Sequence, residues 1–109
     1  MCHEATSGAT IKAYVNVTDG MPGFNDALAN VGPLSISIDA EPESLYYYKS
    51  GYYYSDECKG GVDDLDHTVL AVGTVMHGAD KYTIVKNSWS THWGMDGHAR
   101  GVFSSSAVL

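Results

Sequence analysis

Two short stretches hold the residue types able to do chemistry. KNSWSTHWG, residues 86 to 94, gathers Asn87, Trp89, His92 and Trp93 in one run, and DLDHTVLAVG, residues 64 to 73, sets His67 at the head of an apolar segment. An asparagine side-chain oxygen can accept a hydrogen bond from one ring N–H of histidine. That bond fixes the tautomer and turns the other ring nitrogen outward. An indole laid over the bond excludes water and strengthens it by lowering the local dielectric. A histidine held in this way serves as a general base, or as the imidazolium partner of a thiolate. His67, Asn87 and Trp89 form the candidate set. Without Asn87 and Trp89, His67 would be read as a satisfied core histidine.

The elements around these residues must bring them together. Residues 66–77 are rich in β-branched and apolar types and predict a buried strand. Residues 78–80 turn, and residues 81–89 return as a second strand, so the pair reads as a hairpin. His67 lies 12 positions before the turn centre and Asn87 only 8 after it. A regular register does not set them opposite one another, and a bulge or bend is required. Trp89, two residues beyond Asn87, would share its strand face. Elsewhere, LSISIDA (34–40) alternates strictly and predicts a strand, and IKAYVNVTD (11–19) alternates in the manner of a half-buried one. GMPG (20–23) punctuates the chain. FNDALANV (24–31) then spaces Phe24, Ala27, Leu28 and Val31 on one face of a short helix, which Gly32-Pro33 stops. The tyrosine-rich stretch 41–57 predicts an irregular turn and a short strand on a packed shoulder. Residues 58–65 form a loop, 98–103 a last strand, and SSSAVL a small-residue tail. The class that follows is α+β, mainly antiparallel β with one or two short helices, in a single domain over residues 1–109 with no internal repeat or linker.

Composition narrows the partners. Thirteen acidic residues against six basic ones give a net charge of -7. Phosphate binding needs a basic face, so nucleic acid is excluded as a partner, and an anionic membrane surface with it. No run reaches the roughly 18 consecutive apolar residues of a transmembrane helix. MCHEATSGAT has neither the basic start nor the apolar run of a signal peptide. Met1 therefore either starts a cytosolic protein or is not the natural beginning of the chain. Cys2 and Cys58 could pair with each other, pair outside the chain, or remain free. Asn16, in NVT, is an acceptor for glycosylation if the protein is secreted. The five histidines, His3, His67, His77, His92 and His98, match no zinc spacing, so no metal and no cofactor is expected.

VGPLSISIDA, YKSGYYYSDEC, LDHTVLAVG and YTIVKNSWSTHWGMDG together resemble the C-terminal half of papain-like cysteine peptidases, the cathepsin L type in particular. The resemblance runs from Cys2 to about Gly97. It implies a barrel-like sheet domain and the Cys-His-Asn constellation for which papain is a standing example. His67 matches the catalytic histidine, Asn87 the asparagine that orients it, and Trp89 the indole that shields their contact. Trp93 matches the second tryptophan, on the leaving-group side of the cleft. Ser37, Leu65, Asp66 and Thr68 match positions that line the pocket for the substrate residue two before the cut, and Leu65 beside small residues implies an apolar side chain there. A peptide or protein substrate and a lysosomal or extracellular setting follow from the same resemblance.

The family's nucleophile stands in a C-G-[SA]-C-[WY] box, with histidine about 130 or more residues downstream. Neither MCHEA nor DECKGG matches that box. The resemblance therefore implies a nucleophile upstream of Met1, in a partner N-terminal half, and an inactive chain without it. It also implies that Cys2 bridges to that half and Cys58 to a cysteine near the C-terminus, where HARGVFSSSAVL replaces the family's N-x-C-G-I segment; the two are not expected to pair with each other. Ser90 replaces a usual glycine, a cost on the order of 1 kcal/mol if φ is positive there, and His98 replaces a usual tyrosine. The alternative function is a pseudoenzyme or a binding or inhibitory module that kept the fold.

Overall fold

Strict alternation builds the centre of the sheet. In a computed structural model, which describes residues 3, 5–18, 20–103 and 105–108, strand β1 (Leu34–Ile38) buries Leu34, Ile36 and Ile38 and turns Ser35 and Ser37 to the other face. Strands β3 (His67–His77) and β4 (Asp80–Lys86) form the expected hairpin around Gly78. The positive φ of 63° at Gly78 suits a residue without Cβ. β1 pairs antiparallel with β3, Ile36 opposite Val69 and Ile38 opposite His67. With β2 (Tyr52–Tyr53), β5 (His98–Gly101) and β6 (Ser105–Val108), the sheet runs β2-β5-β4-β3-β1-β6.

Every pairing is antiparallel except β2 with β5. The sheet is open, with β2 and β6 at opposite edges, so the barrel-like closure does not form. A barrel requires its two end strands to hydrogen-bond, and the two-residue β2 pairs only with β5. Two short helices, α1 (Gly20–Asn30) and α2 (Glu43–Tyr46), complete the α+β architecture. Phe24 and Ala27 of α1 and Leu45 of α2 join Leu34, Ile36, Ile38, Val69, Ala71, Val85 and Ala99 in one buried cluster, with Tyr48, Tyr53 and Trp93 at its aromatic end. Among the described residues no helix is long and apolar enough to cross a membrane.

Several expectations are corrected. No strand forms over residues 11–18, and Ile11, Tyr14 and Val15 are well exposed. Alternation there marks extended backbone, and of its apolar face only Val17 packs against the core cluster among the described residues, while Ile11, Ala13 and Val15 are exposed. GMPG does not punctuate the chain; it forms the first turn of α1. Helix N-termini leave their first amides unpaired, so Pro22 removes no intrahelical bond there. The helical face ends early, with Val31 68% exposed beyond the last turn. Strand β3 is buried only where β1 flanks it, and Met76, past that flank, is exposed. A one-turn helix, α2, and a 3-10 turn at Val62–Asp64 occupy stretches expected to be irregular. Within the small-residue tail, Ser105–Val108 form β6, which pairs with β1 and sets Ser106 opposite Ser37. Asp19 and Cys2 lie outside the described residues, and the expectations that involve them do so too.

The turn after β1 hangs on one buried carboxylate. Asp39, 3% exposed, accepts Lys59 N–H at 2.9 Å on one oxygen and Glu41 N–H at 2.9 Å on the other. The Lys59 N–H holds the carboxyl below its usual range; burial pushes the other way, and the Glu41 N–H adds to the lowering. A carboxyl lowered on folding contributes stability that is present above its unfolded value and lost as pH falls through its folded one. Its contribution therefore fades below about pH 4. Asp39→Asn is expected to lower stability at pH 7 by about 1–3 kcal/mol. It is also expected to flatten the loss of stability in acid, as urea titrations at a series of pH values would read. Equal acid slopes for both proteins would contradict the assignment.

Candidate active site

One unpaired residue in β3 decides which side chains can meet. His77 pairs with Asp80 next to the turn, and Gly73 with Ile84, but Ala71 pairs with Val85 and Leu70 with Lys86. Val72 has no partner and forms the bulge that the sequence spacing demands. Side chains alternate along a strand, so a one-residue slip exchanges faces. Without the bulge, the register set at the turn would bring Asn87 opposite Leu70, on the face away from His67. With it, the position after Lys86 falls opposite Val69, which shares its face with His67. Diagonal neighbours on one face are about 7–8 Å apart at their Cα atoms, within reach of a histidine and an asparagine.

The contact is made. His67 Nε2 lies 2.8 Å from Asn87 Oδ1. The same oxygen accepts Ser88 N–H at 2.8 Å, which identifies it as the amide oxygen. An oxygen acceptor requires Nε2 to carry its proton. Nδ1 is then left without a partner among the described residues. Trp89 stacks over the imidazole, with ring centroids 4.9 Å apart and planes at 24°. The sheet does not place it there, since β4 ends at Lys86 and Asn87 to Trp89 lie in the following loop. The shared strand face expected of Asn87 and Trp89 is corrected accordingly.

That loop is tied by its backbone. Asn87 N–H bonds Gly97 O at 2.9 Å, Gly97 N–H bonds Trp93 O at 2.9 Å, and Gly94 N–H bonds Tyr48 O at 3.2 Å. Gly94 has φ 57°, and a Cβ there would meet His98 O at 2.5 Å, so the close approach itself demands glycine. Trp93 is buried, donates Nε1–H to Leu45 O at 3.0 Å, and meets Trp89 edge-on at 5.3 Å. Ser90 does have positive φ, 75°. His98 sits at the start of β5, with Nδ1 3.0 Å from Asp96 O.

The four residues expected to line a pocket fall into two groups. Ser37 and Thr68 pair across β1 and β3, on the face opposite His67. Leu65 and Asp66 lead into β3. Asp66 bridges to β1, its N–H bonding Ile38 O at 3.1 Å and its carboxylate accepting Ala40 N–H at 2.8 Å. One Asp66 oxygen is thus engaged in fixing the strand ends around His67. Asn16 is exposed in the extended segment before α1. Cys58 is a free thiol among the described residues. Burial, then Asp39, pushes it up, which leaves it mostly un-ionised and a poor nucleophile.

Two variants at Ser90 isolate its backbone cost. Both Ser90→Gly and Ser90→Ala lose the bond from His92 N–H to Ser90 Oγ, and only glycine is free at positive φ. Ser90→Gly is expected to exceed Ser90→Ala in stability by about 1–2 kcal/mol in denaturant titration; equal stabilities would contradict strain at this position. Insertion of one alanine between Lys86 and Asn87 is expected to move the asparagine one position on and off the His67 face. The His67 Nε2 proton should then exchange rapidly with water in NMR spectra, whereas a protected proton in that variant would mean that the strand register does not set the contact.

The family model described as papain family cysteine protease matches residues 1–107. A cathepsin L-like peptidase of Aedes aegypti is 48% identical over 96 residues, 85% of this chain and 27% of that protein. Procathepsin L of Rattus norvegicus is 43% identical over 91 residues, 80% of this chain and 27% of that protein. The structure of digestive procathepsin L 3 from the Tenebrio molitor larval midgut superposes with TM-score 0.83 at 32% identity, over 94% of this chain and 36% of that one. The chain spans little more than a quarter of the length of these curated relatives. It belongs to the papain family of cysteine proteases.

Proposed function

We propose that this chain supplies the histidine and asparagine of a cysteine peptidase whose nucleophile lies outside residues 1–109. The hydrogen bond from His67 Nε2–H to Asn87 Oδ1, at 2.8 Å beneath the Trp89 ring, carries the reading. It leaves Nδ1 as the nitrogen that can exchange a proton with a reacting group. A cysteine thiolate paired with the His67 imidazolium attacks a peptide carbonyl carbon. His67 then protonates the leaving amine, the C–N bond breaks, and water releases the acyl-enzyme with His67 as base. Asn87 holds the ring, Trp89 keeps water from the bond, and Trp93 supports Trp89 on the leaving-group side.

Ser37, Leu65, Asp66 and Thr68 are the substrate-contacting residues in this proposal, Ser37 and Thr68 reaching the substrate from the other sheet face at the strand end where Leu65 and Asp66 enter β3. Two short polar side chains beside a leucine favour an apolar substrate side chain. The Asp66 carboxylate acts mainly by holding the strand ends, because Ala40 N–H engages one of its oxygens. The substrate is a peptide or protein, and the setting is lysosomal or extracellular.

The test is reconstitution. The 109-residue chain alone is expected to cleave no peptide. Joined to a segment that carries a papain-type cysteine box, it should cleave peptides and be blocked by thiol alkylation. In that assembly His67→Ala should lower kcat/KM on the order of 10²–10⁴-fold, and Asn87→Ala should lower it less. An assembled enzyme indifferent to His67→Ala would refute the assignment. A folded assembly with no activity at all would favour the binding or inhibitory module.

A further inference from the structure

We propose that Tyr46 is a positioning residue that sets the plane of Trp89 over the His67–Asn87 pair. A hydrogen bond fixes Trp93 through its indole N–H; none fixes Trp89 among the described residues. Trp89 follows the end of β4, so no sheet ladder aims it either. Its orientation rests on three ring contacts. His67 stacks at 24° and Trp93 meets it edge-on at 84°, while Tyr46 lies 4.8 Å away with its plane only 5° from that of the indole. Of the three, only Tyr46 is nearly parallel to the indole, and parallel contact is what resists tilting.

Tyr46 is itself well placed for this. It ends α2, directly after Leu45, whose side chain is 2% exposed and whose carbonyl holds Trp93. Helix α2 therefore grips both tryptophans, one through a backbone carbonyl and one through a ring. The Tyr46 side chain is 55% exposed, and its hydroxyl makes no hydrogen bond among the described residues. The fold does not need it as core, and its extensive contact is with Trp89.

The inference rests on the peptidase reading of His67 and Asn87, but its readout does not. In the 109-residue chain, the indole ring current should displace the His67 ring protons in NMR spectra. Tyr46→Ala is expected to lose most of that displacement and to make Trp89 more readily quenched by acrylamide. Tyr46→Phe keeps the ring without the hydroxyl and should restore both. A general structural role would predict lowered stability with unchanged His67 shifts. Unchanged shifts and quenching in folded Tyr46→Ala would overturn the proposal, as would failure of Tyr46→Phe to restore them. If the shifts move as expected while the reconstituted enzyme proves inactive, the positioning role stands and the peptidase reading falls.

Discussion

Two side chains can share a bond only if the backbone delivers them to the same face, and in this fold that delivery depends on a single unpaired residue. Val72 moves the register of β3 against β4 by one position. Such a step exchanges faces along a whole strand. Downstream of it, Asn87 emerges on the side where His67, Val69 and Ala71 already lie. The cost is one residue that pairs with nothing in a hairpin that would otherwise be regular. Bulges are frequent beside active sites because they re-aim a side chain without changing the topology.

The loop after β4 completes what the bulge begins. Backbone bonds from Asn87 to Gly97 and from Gly94 to Tyr48 fold residues 87–97 back over the end of the sheet. The aromatic cluster of Trp89, Trp93, Tyr46 and Tyr48 then fills the space between this loop and α2. On the other side, Asp66 pins the start of β3 to the end of β1 through its N–H and its carboxylate. His67 is the next residue, so its ring is held between two braced strand ends. Asp39 braces the turn that follows β1 in the same way, with two backbone donors on a buried carboxylate. A polar pair near the edge of a core keeps its geometry only when its surroundings cannot shift, and here each flank is tied by hydrogen bonds.

Much of this was legible in the sequence where periodicity and chemistry coincided. LSISI alternates because one face is buried, and the structure buries that face. The hairpin and the need for a bulge followed from counting residues between His67 and Asn87. Positive φ at Ser90 was only a condition in the sequence, raised by the resemblance, and the backbone there does adopt 75°. What failed depended on neighbours that a single segment does not reveal. Residues 11–18 alternate with only Val17 packed against the core, whereas Ser105–Val108, short and poor in β-branched residues, pair because β1 offers an edge. GMPG looked like a turn, yet the first turn of a helix tolerates proline. In the tyrosine-rich run nothing local distinguishes Tyr46, which stacks on Trp89, from Tyr47, which faces solvent. The rotation of a four-residue helix makes that choice.

The whole site turns on one proton, held on His67 Nε2 and bonded to Asn87 Oδ1. Long-range ¹H–¹⁵N correlation of the neutral His67 imidazole in the 109-residue chain reads that proton. A protonated Nε2 and a bare Nδ1 are expected, with that signature weakened in Asn87→Ala. A proton on Nδ1, or a mixture of tautomers unaffected by Asn87→Ala, would contradict this arrangement.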